Sequence, residues 1–545
     1  MAAIEARLDA VAWFHQDGMV RSGVRDRLRD LPDVERIVGR LVSGSAAPRD
    51  LAALRRALES APGLIEAANY GKAVIDTGAA AAGAEALALL HAALAAEPAP
   101  ALGDGGVIRE GFSAELDEAR ILTRDTSRAL AELESEERER TGIRSLRVAY
   151  NRVFGYYIEI SKANLAMAPA DFQRKQTLVG AERFSTPRLK NLEERILAAR
   201  EAIGELETSL YRQVCAQLAA LAGGLRVIAA TMAAIDVHSA LAEVAVRFNY
   251  TRPALNEGER ILIRDGRHPV VERGLGEGRY VPNDTDLDSD DAQVIVLTGP
   301  NMAGKSTYLR QVALITLLAQ AGSFVPAASA EIGVVDRIFT RIGAQDDVSR
   351  GESTFMVEML ETAAILRGAT RRSLVLFDEV GRGTSTYDGL AIARSVVEYL
   401  HARPEAAAKT LFATHYHEMT GLAATLPRVR NFSVAVSEQE GRVVFLHRIV
   451  PGGADRSYGI HVAELAGMPA PVVSRAREVL TALEAARNGG SPRRRTESSQ
   501  TQLPFLPAAS AVEEELAALD LDGLTPLQAL NRLYELKAKL KESNR

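Results

Sequence analysis

VIVLTGPNMAGKST, Val294 to Thr307, decides the fold. An apolar, β-branched run feeds directly into the pattern G-x-x-x-x-G-K-S, with Gly299, Gly304, Lys305 and Ser306 at the fixed positions, and a helical YLRQV follows. A strand, a glycine loop and a helix in that order form an α/β unit. The loop residues Gly299, Pro300, Asn301, Met302, Ala303, Gly304, Lys305, Ser306 and Thr307 are the candidate nucleotide-binding set. Glycine permits the tight turn, the available backbone N–H groups surround phosphate oxygens, and the helix adds the positive end of its dipole. Lys305 is placed to reach the β and γ phosphates, and the Ser306 hydroxyl to ligate Mg²⁺.

Two further strand-like runs complete the candidate site. LVLFDE ends in Asp378, a second Mg²⁺ ligand, and Glu379, placed to orient or deprotonate an attacking water. A nucleotide switch has no need of Glu379; a hydrolase does. TLFATH ends in His415, which could sense a γ-phosphate. His417 and Glu418 follow, but no cysteine or third spaced histidine accompanies them, which argues against zinc. His91, His447 and His461 read as surface or structural residues.

Outward from this core, the 545 residues predict several modules, and 47% hydrophobic with 25% charged residues is ordinary globular composition. No apolar run approaches the roughly 20 residues that span a bilayer, so no membrane association is expected. The Ala-rich stretch around Ala79–Leu102 reads as a buried helix. The N-terminus carries no secretory signal, and the single cysteine, Cys215, allows no internal disulfide, which fits a reducing cytoplasm. A net charge of −6 argues against wholesale coating of nucleic acid.

Residues 1–110 read as short helices separated by proline and glycine. From Phe112 a seam recurs at Leu116, Ala119, Thr123, Thr126, Leu130 and Leu133, predicting a long helix that ends near Thr141-Gly142. A second seam, Leu189, Leu192, Ile196, Ala199, Ile203, Leu206 and Leu210, follows Thr186-Pro187, a cap with proline at the first helical position. Two such helices form an antiparallel arm, and some 30 residues reach about 45 Å. Between them Phe154, Tyr156, Ile158 and Ile160 alternate as a strand, so the tip is a small β module. From Ser145 to Arg195 nine basic residues face five acidic ones, a net +4 against the acidic chain. A cationic tip suits phosphate backbone, and equally a solvated surface over a tyrosine core. The segment at 486–510 reads as a flexible linker, and Leu527, Leu530, Leu533, Leu536 and Leu540 make one apolar face of a tail helix.

At this point the chain resembles the MutS family of DNA mismatch repair ATPases. GPNMAGKST, DDVSRGESTFMVEM, LFDEVGRGTSTYDG, FATHYHE and SYGIHVAELAGMP stand in the family's order, YNRVFGYYIEISKAN with RKQTL, AERF and LKNLEERI resembles its DNA clamp, and LTPLQALNRLYELK its terminal helix. The resemblance implies a multidomain chain: a partial helical core (1–112), lever helices carrying a clamp (113–222, tip about 145–190), a return helix (223–247), an ABC-type α/β P-loop domain with a helix-turn-helix (248–485), a linker (486–510) and an oligomerisation helix (511–545). It implies hydrolysis of ATP with Mg²⁺ in a homodimer, with Ser353 and Thr354 facing the nucleotide held by the other copy, Asp388 near the subunit boundary and Tyr280 stacked on adenine. It implies that Arg147, Lys162, Arg174 and Lys175 touch phosphates of double-stranded DNA without sequence preference, that the tail forms dimers or tetramers, and that a MutL-like protein is a partner. Family members begin with a mismatch-reading domain and a connector. This chain opens at IEARLDAVAWF, inside the lever region, so direct mismatch readout is expected to be lacking. Two alternatives stay open: a paralogue acting on recombination intermediates or ribosomes, and a nonenzymatic scaffold whose dimerisation the nucleotide controls.

Overall fold

A computed structural model of the chain describes residues 1–68, 77–103, 105–151, 153, 155–276, 278–301, 303–343, 354–439, 442–453 and 458–487. Arg152, Phe154, Met302, Ser353 and everything from residue 488 onward, the tail helix included, lie outside the described residues. The chain divides into two compact units, Met1–Val462 and Ala463–Arg545.

The first unit opens with helices α1 (Ala2–Gln16), α2 (Gly18–Leu28), α3 (Val34–Val42), α4 (Pro48–Ala68) and α5 (Thr77–Ala93). Asp17 and Asp33 cap α2 and α3, each carboxylate accepting backbone N–H groups of the first turn. The Ala-rich α5 buries one face, Ala79, Ala86, Leu90 and Ala93, while Glu85 and His91 face solvent; it is half-buried rather than buried.

Next come the arm helix α6 (Ala114–Thr141), strands β1 (Arg147–Asn151), β2 (Gly155–Ser161), β3 (Gln173–Thr177) and β4 (Ala181–Ser185), and the return helix α7 (Pro187–Ala220). Gly142 ends α6 at φ 66°, a left-handed cap, and the Thr186 hydroxyl accepts the Leu189 N–H to start α7. The strands form an antiparallel sheet in the order β1-β2-β4-β3. Ile158, Ile160, Phe172 and Phe184 join Leu130, Leu133, Leu189, Leu192 and Ile196 in one core, which seats the sheet on the end of the helix pair.

The second seam departs from its expected course. Buried positions run Leu189, Leu192, Ile196, Ala199 and Ile203, then Glu207, Tyr211, Val214 and Leu218, leaving Leu206 and Leu210 only partly covered. A straight helix drifts against a strict seven-residue repeat, and here the drift delivers a carboxylate. Glu207 is 0% exposed and accepts four backbone N–H groups, Gly103 (2.9 Å), Gly105 (3.0 Å), Val107 (2.7 Å) and Ile108 (3.3 Å). Arg120 of α6 donates to the Gly105 and Ile108 carbonyls of the same loop. Four N–H partners offset the desolvation that otherwise excludes a carboxylate from a core.

Helix α8 (Ala222–Arg247) returns through the helical core, where Leu225, Ile228, Met232, Ile235 and Ala242 meet Leu8, Val11 and Phe14 of α1. By length and composition α8 could cross a membrane, contrary to the reading that no apolar run approaches that length. Its apolar face instead packs against the helices around it.

The remainder is α/β: β5 (Ala254–Asn256), β6 (Ile261–Gly266), α9 (Pro269–Leu275), β7 (Asn283–Leu287), β8 (Val294–Thr298), α10 (Lys305–Ala321), β9 (Ser329–Gly333), β10 (Ile338–Ile342), α11 (Thr354–Gly368), β11 (Leu374–Asp378), α12 (Thr386–Ala402), β12 (Lys409–Ala413), α13 (Leu422–Thr425), β13 (Val429–Gln439) and β14 (Arg442–Pro451). The main sheet runs β10-β11-β12-β8-β13-β14, parallel except for the edge strand β14. Alternate strand residues enter two cores. Ile295, Leu297, Leu374, Leu376 and Leu411 face α10, whereas Val294, Val296, Val375, Phe377 and Phe412 meet residues of α11 and α12. Burial on both faces explains the unbroken apolar runs of these strands. A smaller sheet, β5-β9-β6-β7, closes over the α10 side. The helix α14 (Gly459–Leu465) begins at the end of this unit.

In the second unit, α15 (Ala470–Arg487) is the main described element, and Arg477 pairs with Glu464 at 2.6 Å.

Candidate nucleotide site and arm

Parallel strands place their carboxyl ends on one edge, where an open α/β sheet offers a crevice. β8 and β11 end there, and a cavity of about 890 Å³ opens between them, lined by the Gly304–Thr307 turn, Asp378 and Glu379 among others. Gly299 and Gly304 have φ of 141° and 104°, so the turn needs glycine at both. α10 begins at Lys305 with only glycine at its cap, leaving its first N–H groups to the cavity.

Lys305 is 5% exposed, and its ammonium donates to the Gly299 and Pro300 carbonyls at 2.6 and 3.0 Å. Burial lowers its pKa, opposed by Glu379 and Asp378. Burial raises the Asp378 pKa, opposed by a hydrogen bond from Ser306, while Glu379 adds to the rise. Among the described residues, Asp378 Oδ1 is buried without a hydrogen-bond partner. Native folds rarely leave such an atom unpaired. An orphaned carboxylate oxygen next to a serine hydroxyl fits a divalent cation.

Glu379 sits just past β11 at φ 56°, its N–H donating to Ala413 at 2.9 Å and its carboxylate bound by Arg382 at 2.5 Å. Thr354, Arg341, Glu358 and Gly383 also line the cavity. Asn301 and Pro300 line both this cavity and a smaller one of about 220 Å³ that holds His415 and His417. His415 thus reaches the loop from its other side. Ala303 is buried, and its carbonyl lies 2.9 Å from His447 Nδ1.

Tyr280 and Asp388, expected on adenine and near the subunit boundary, do not line this cavity. The Tyr280 hydroxyl donates to Gln311 of α10 at 2.7 Å, and burial pushes the phenol up to about 12. Asp388 is exposed in the first turn of α12, where its carboxylate accepts the Ser385 hydroxyl at 2.8 Å and its N–H donates back at 3.4 Å. That exchange caps the helix.

Sequence reasoning passed over Arg341 and Glu358, and read His447 only as a surface or hydrogen-bonded structural residue. Arg341 interrupts the run IFTRI and Glu358 interrupts STFMVEM; a charge at an apolar position was the available signal. His447 has φ 52°, and only folding brings it to the loop.

The cations of the arm are mostly engaged. Arg147 and Arg183 share Glu159, Arg174 pairs with Glu182 at 2.7 Å, and Lys175 stands 3.9 Å from Glu193. Lys162 is exposed at the start of the turn after β2. Net charge along the sequence already subtracts these acids; what the fold adds is which cations they hold, Arg147, Arg174, Lys175 and Arg183.

Comparison with known proteins bears on both regions. The model for MutS domain V matches residues 295–484, that for MutS family domain IV matches 111–202, and that for the DNA mismatch repair protein MutS C-terminal region matches 506–539. A DNA mismatch repair protein MutS from Dehalococcoides mccartyi (strain CBDB1) is 53% identical over 551 residues, covering 99% of this chain and 63% of the relative. Proteins of the same name from Methanococcoides burtonii and Salinibacter ruber are 48% and 46% identical over 98% of this chain and 63% and 64% of their own lengths. This chain thus spans somewhat under two thirds of the relatives it matches. With those identities sustained almost end to end, and with three of the family's regions present in order, the chain belongs to the MutS family.

Proposed function

We propose that this chain is an ATP-hydrolysing DNA mismatch repair protein that works as a homodimer and holds duplex DNA between its arms. The observation that carries the reading is the unpartnered Asp378 Oδ1, buried beside Ser306 at the mouth of a glycine loop. Ser306 and Asp378 would hold Mg²⁺, which would offset the charge of the phosphates. Lys305, now bound to two carbonyls of its own loop, exchanges them for β- and γ-phosphate oxygens of the substrate. Glu379 accepts a proton from the attacking water, and Arg382 must release its carboxylate first. Asn301 and His415 stand near the γ-phosphate, and Ser353 and Thr354 address the nucleotide of the other copy. Tyr280, held by Gln311, supports α10 in this reading and reaches adenine only by leaving that bond.

The arm addresses phosphates through Arg147, Lys162, Arg174 and Lys175. Such contacts carry no sequence information, so a polypeptide of these 545 residues is expected to bind matched and mismatched duplex equally. A MutL-like protein is the partner by family, and the tail helix sets the dimer or tetramer.

Phosphate release measured with Mg²⁺ and with a chelator tests the reading. Turnover that depends on Mg²⁺ and falls in Asp378→Asn is expected; turnover indifferent to both refutes it.

A further inference from the structure

Two buried charges hold the loop that follows β11. Glu358 of α11 is 5% exposed, and Arg341 at the end of β10 is 6% exposed. Glu358 Oε1 accepts the Gly381 N–H at 2.5 Å, and its Oε2 faces the Arg341 guanidinium at 3.4 Å. Arg341 Nε in turn faces Glu361 at 3.2 Å. On its other side, the Gly381 carbonyl accepts the Tyr416 hydroxyl at 2.9 Å. The Gly381 peptide is therefore pinned at both ends. It is also locked sideways: φ is 90°, and a Cβ there would stand 2.5 Å from the Gly389 carbonyl oxygen.

Glu379 lies two residues earlier at φ 56°. A residue with a side chain keeps that conformation only where its surroundings enforce it. The sheet supplies one restraint, the Glu379 N–H bond to Ala413. The pinned peptide supplies the other.

We propose that Glu358, backed by Arg341, is a positioning residue for hydrolysis: it fixes the Gly381 peptide, and through it the left-handed turn that presents Glu379 to the cavity. Glu358 lies one turn into the helix that starts at Thr354, itself a cavity residue. Displacement of that helix, by whatever meets its amino end, is thereby transmitted to the aim of Glu379. A buried Arg–Glu pair is weak support for stability by itself, since desolvation of both charges offsets their attraction. Its hydrogen bond to the loop is what gives the pair a role in turnover. The inference rests on the hydrolase reading above.

Steady-state phosphate release and equilibrium ATP binding are measured on the 545-residue chain, on Glu358→Ala and on Glu358→Gln. Glu358→Ala is expected to lose about 30-fold in kcat while its ATP Kd changes by less than about 3-fold. Glu358→Gln keeps an acceptor for the Gly381 N–H and is expected to return to within about 3-fold of the parent kcat. Parental kcat in Glu358→Ala overturns the proposal, as does a glutamine variant no better than alanine, or a loss of ATP affinity in proportion to turnover. Should Glu358→Ala fail to fold, Tyr416→Phe frees the same peptide from its carbonyl side: kcat about 3-fold lower at constant Kd is expected, and parental kcat overturns the proposal. A parent chain that releases no phosphate refutes the hydrolase reading and this inference with it. A parent that turns over beside an equally active Glu358→Ala refutes the positioning role alone.

Discussion

The nucleotide site and the tip of the arm both carry charge, but they keep it differently. At the carboxyl ends of β8 and β11, Asp378 has an oxygen without a partner among the described residues, and Lys305 is bound by carbonyls of its own loop. At the tip, Glu159 is shared by two arginines and Glu182 holds a third. The difference follows from rigidity and solvent. A buried site between sheet and helix can store unsatisfied polar atoms because the core on both faces holds them in place, and a ligand that satisfies them gains the full desolvated interaction. At the tip Arg147 and Arg174 keep most of their side chains in water, so their pairs are screened and exchange readily for a phosphate.

The largest test of that contrast is Glu379→Gln. Turnover is expected to fall about 10³-fold while ATP binding persists; phosphate release together with nucleotide binding on the same preparation measures both, and preserved turnover removes Glu379 from the role of base.

Next in size is a charge that is buried and fully satisfied. Glu207→Ala strands four N–H groups of the loop at 103–108 and is expected to destabilise by about 3 kcal/mol, read as a lower denaturation midpoint. An unchanged midpoint would mean that the loop finds other acceptors and that α7 is not anchored there.

Lys409, at the amino end of β12, tests what an ill-satisfied charge costs away from any ligand. It is 1% exposed, and its Nζ donates to the Arg371 carbonyl at 3.4 Å. Burial lowers its pKa from 10.5 to about 8. Between these values the unfolded chain binds more protons than the folded one, so this lysine adds stability as pH rises from about 8 and withdraws it as pH falls back. Lys409→Met is expected to stabilise by roughly 1–3 kcal/mol at neutral pH, with the gain shrinking toward pH 10.5. A destabilised variant, or a gain flat with pH, would count against the assignment.

The smallest effects belong to the arm. Arg147→Ala is expected to weaken duplex binding about 3-fold and to reduce the salt slope by about 1. Glu159→Gln, which releases Arg147 and Arg183, should move affinity the other way. If neither changes affinity at low salt, the tip does not address phosphate.

Much of this molecule was legible before folding. Gly142 as a left-handed cap, Thr186 as a hydroxyl cap and the strand–glycine loop–helix unit depend on contacts a few residues apart, which sequence spacing records, and the β tip was legible from alternation between two helical seams. The second seam was legible only as far as Ile203. Beyond it the acceptor needed by a loop a hundred residues earlier put Glu207, not Leu206, inside.

The same division holds at the site. Sequence by itself singled out the candidates for phosphate and metal, because a glycine turn, a lysine, a serine and two carboxylates at strand ends are chemical requirements written in short stretches. Tertiary structure alone decided that Glu358 and Arg341 meet beneath Gly381, that His447 reaches Ala303, and that the cations of the tip are spent on neighbouring acids. Those pairings join strands and helices distant in the chain, and the energy of a charge depends on what surrounds it rather than on its place in the sequence.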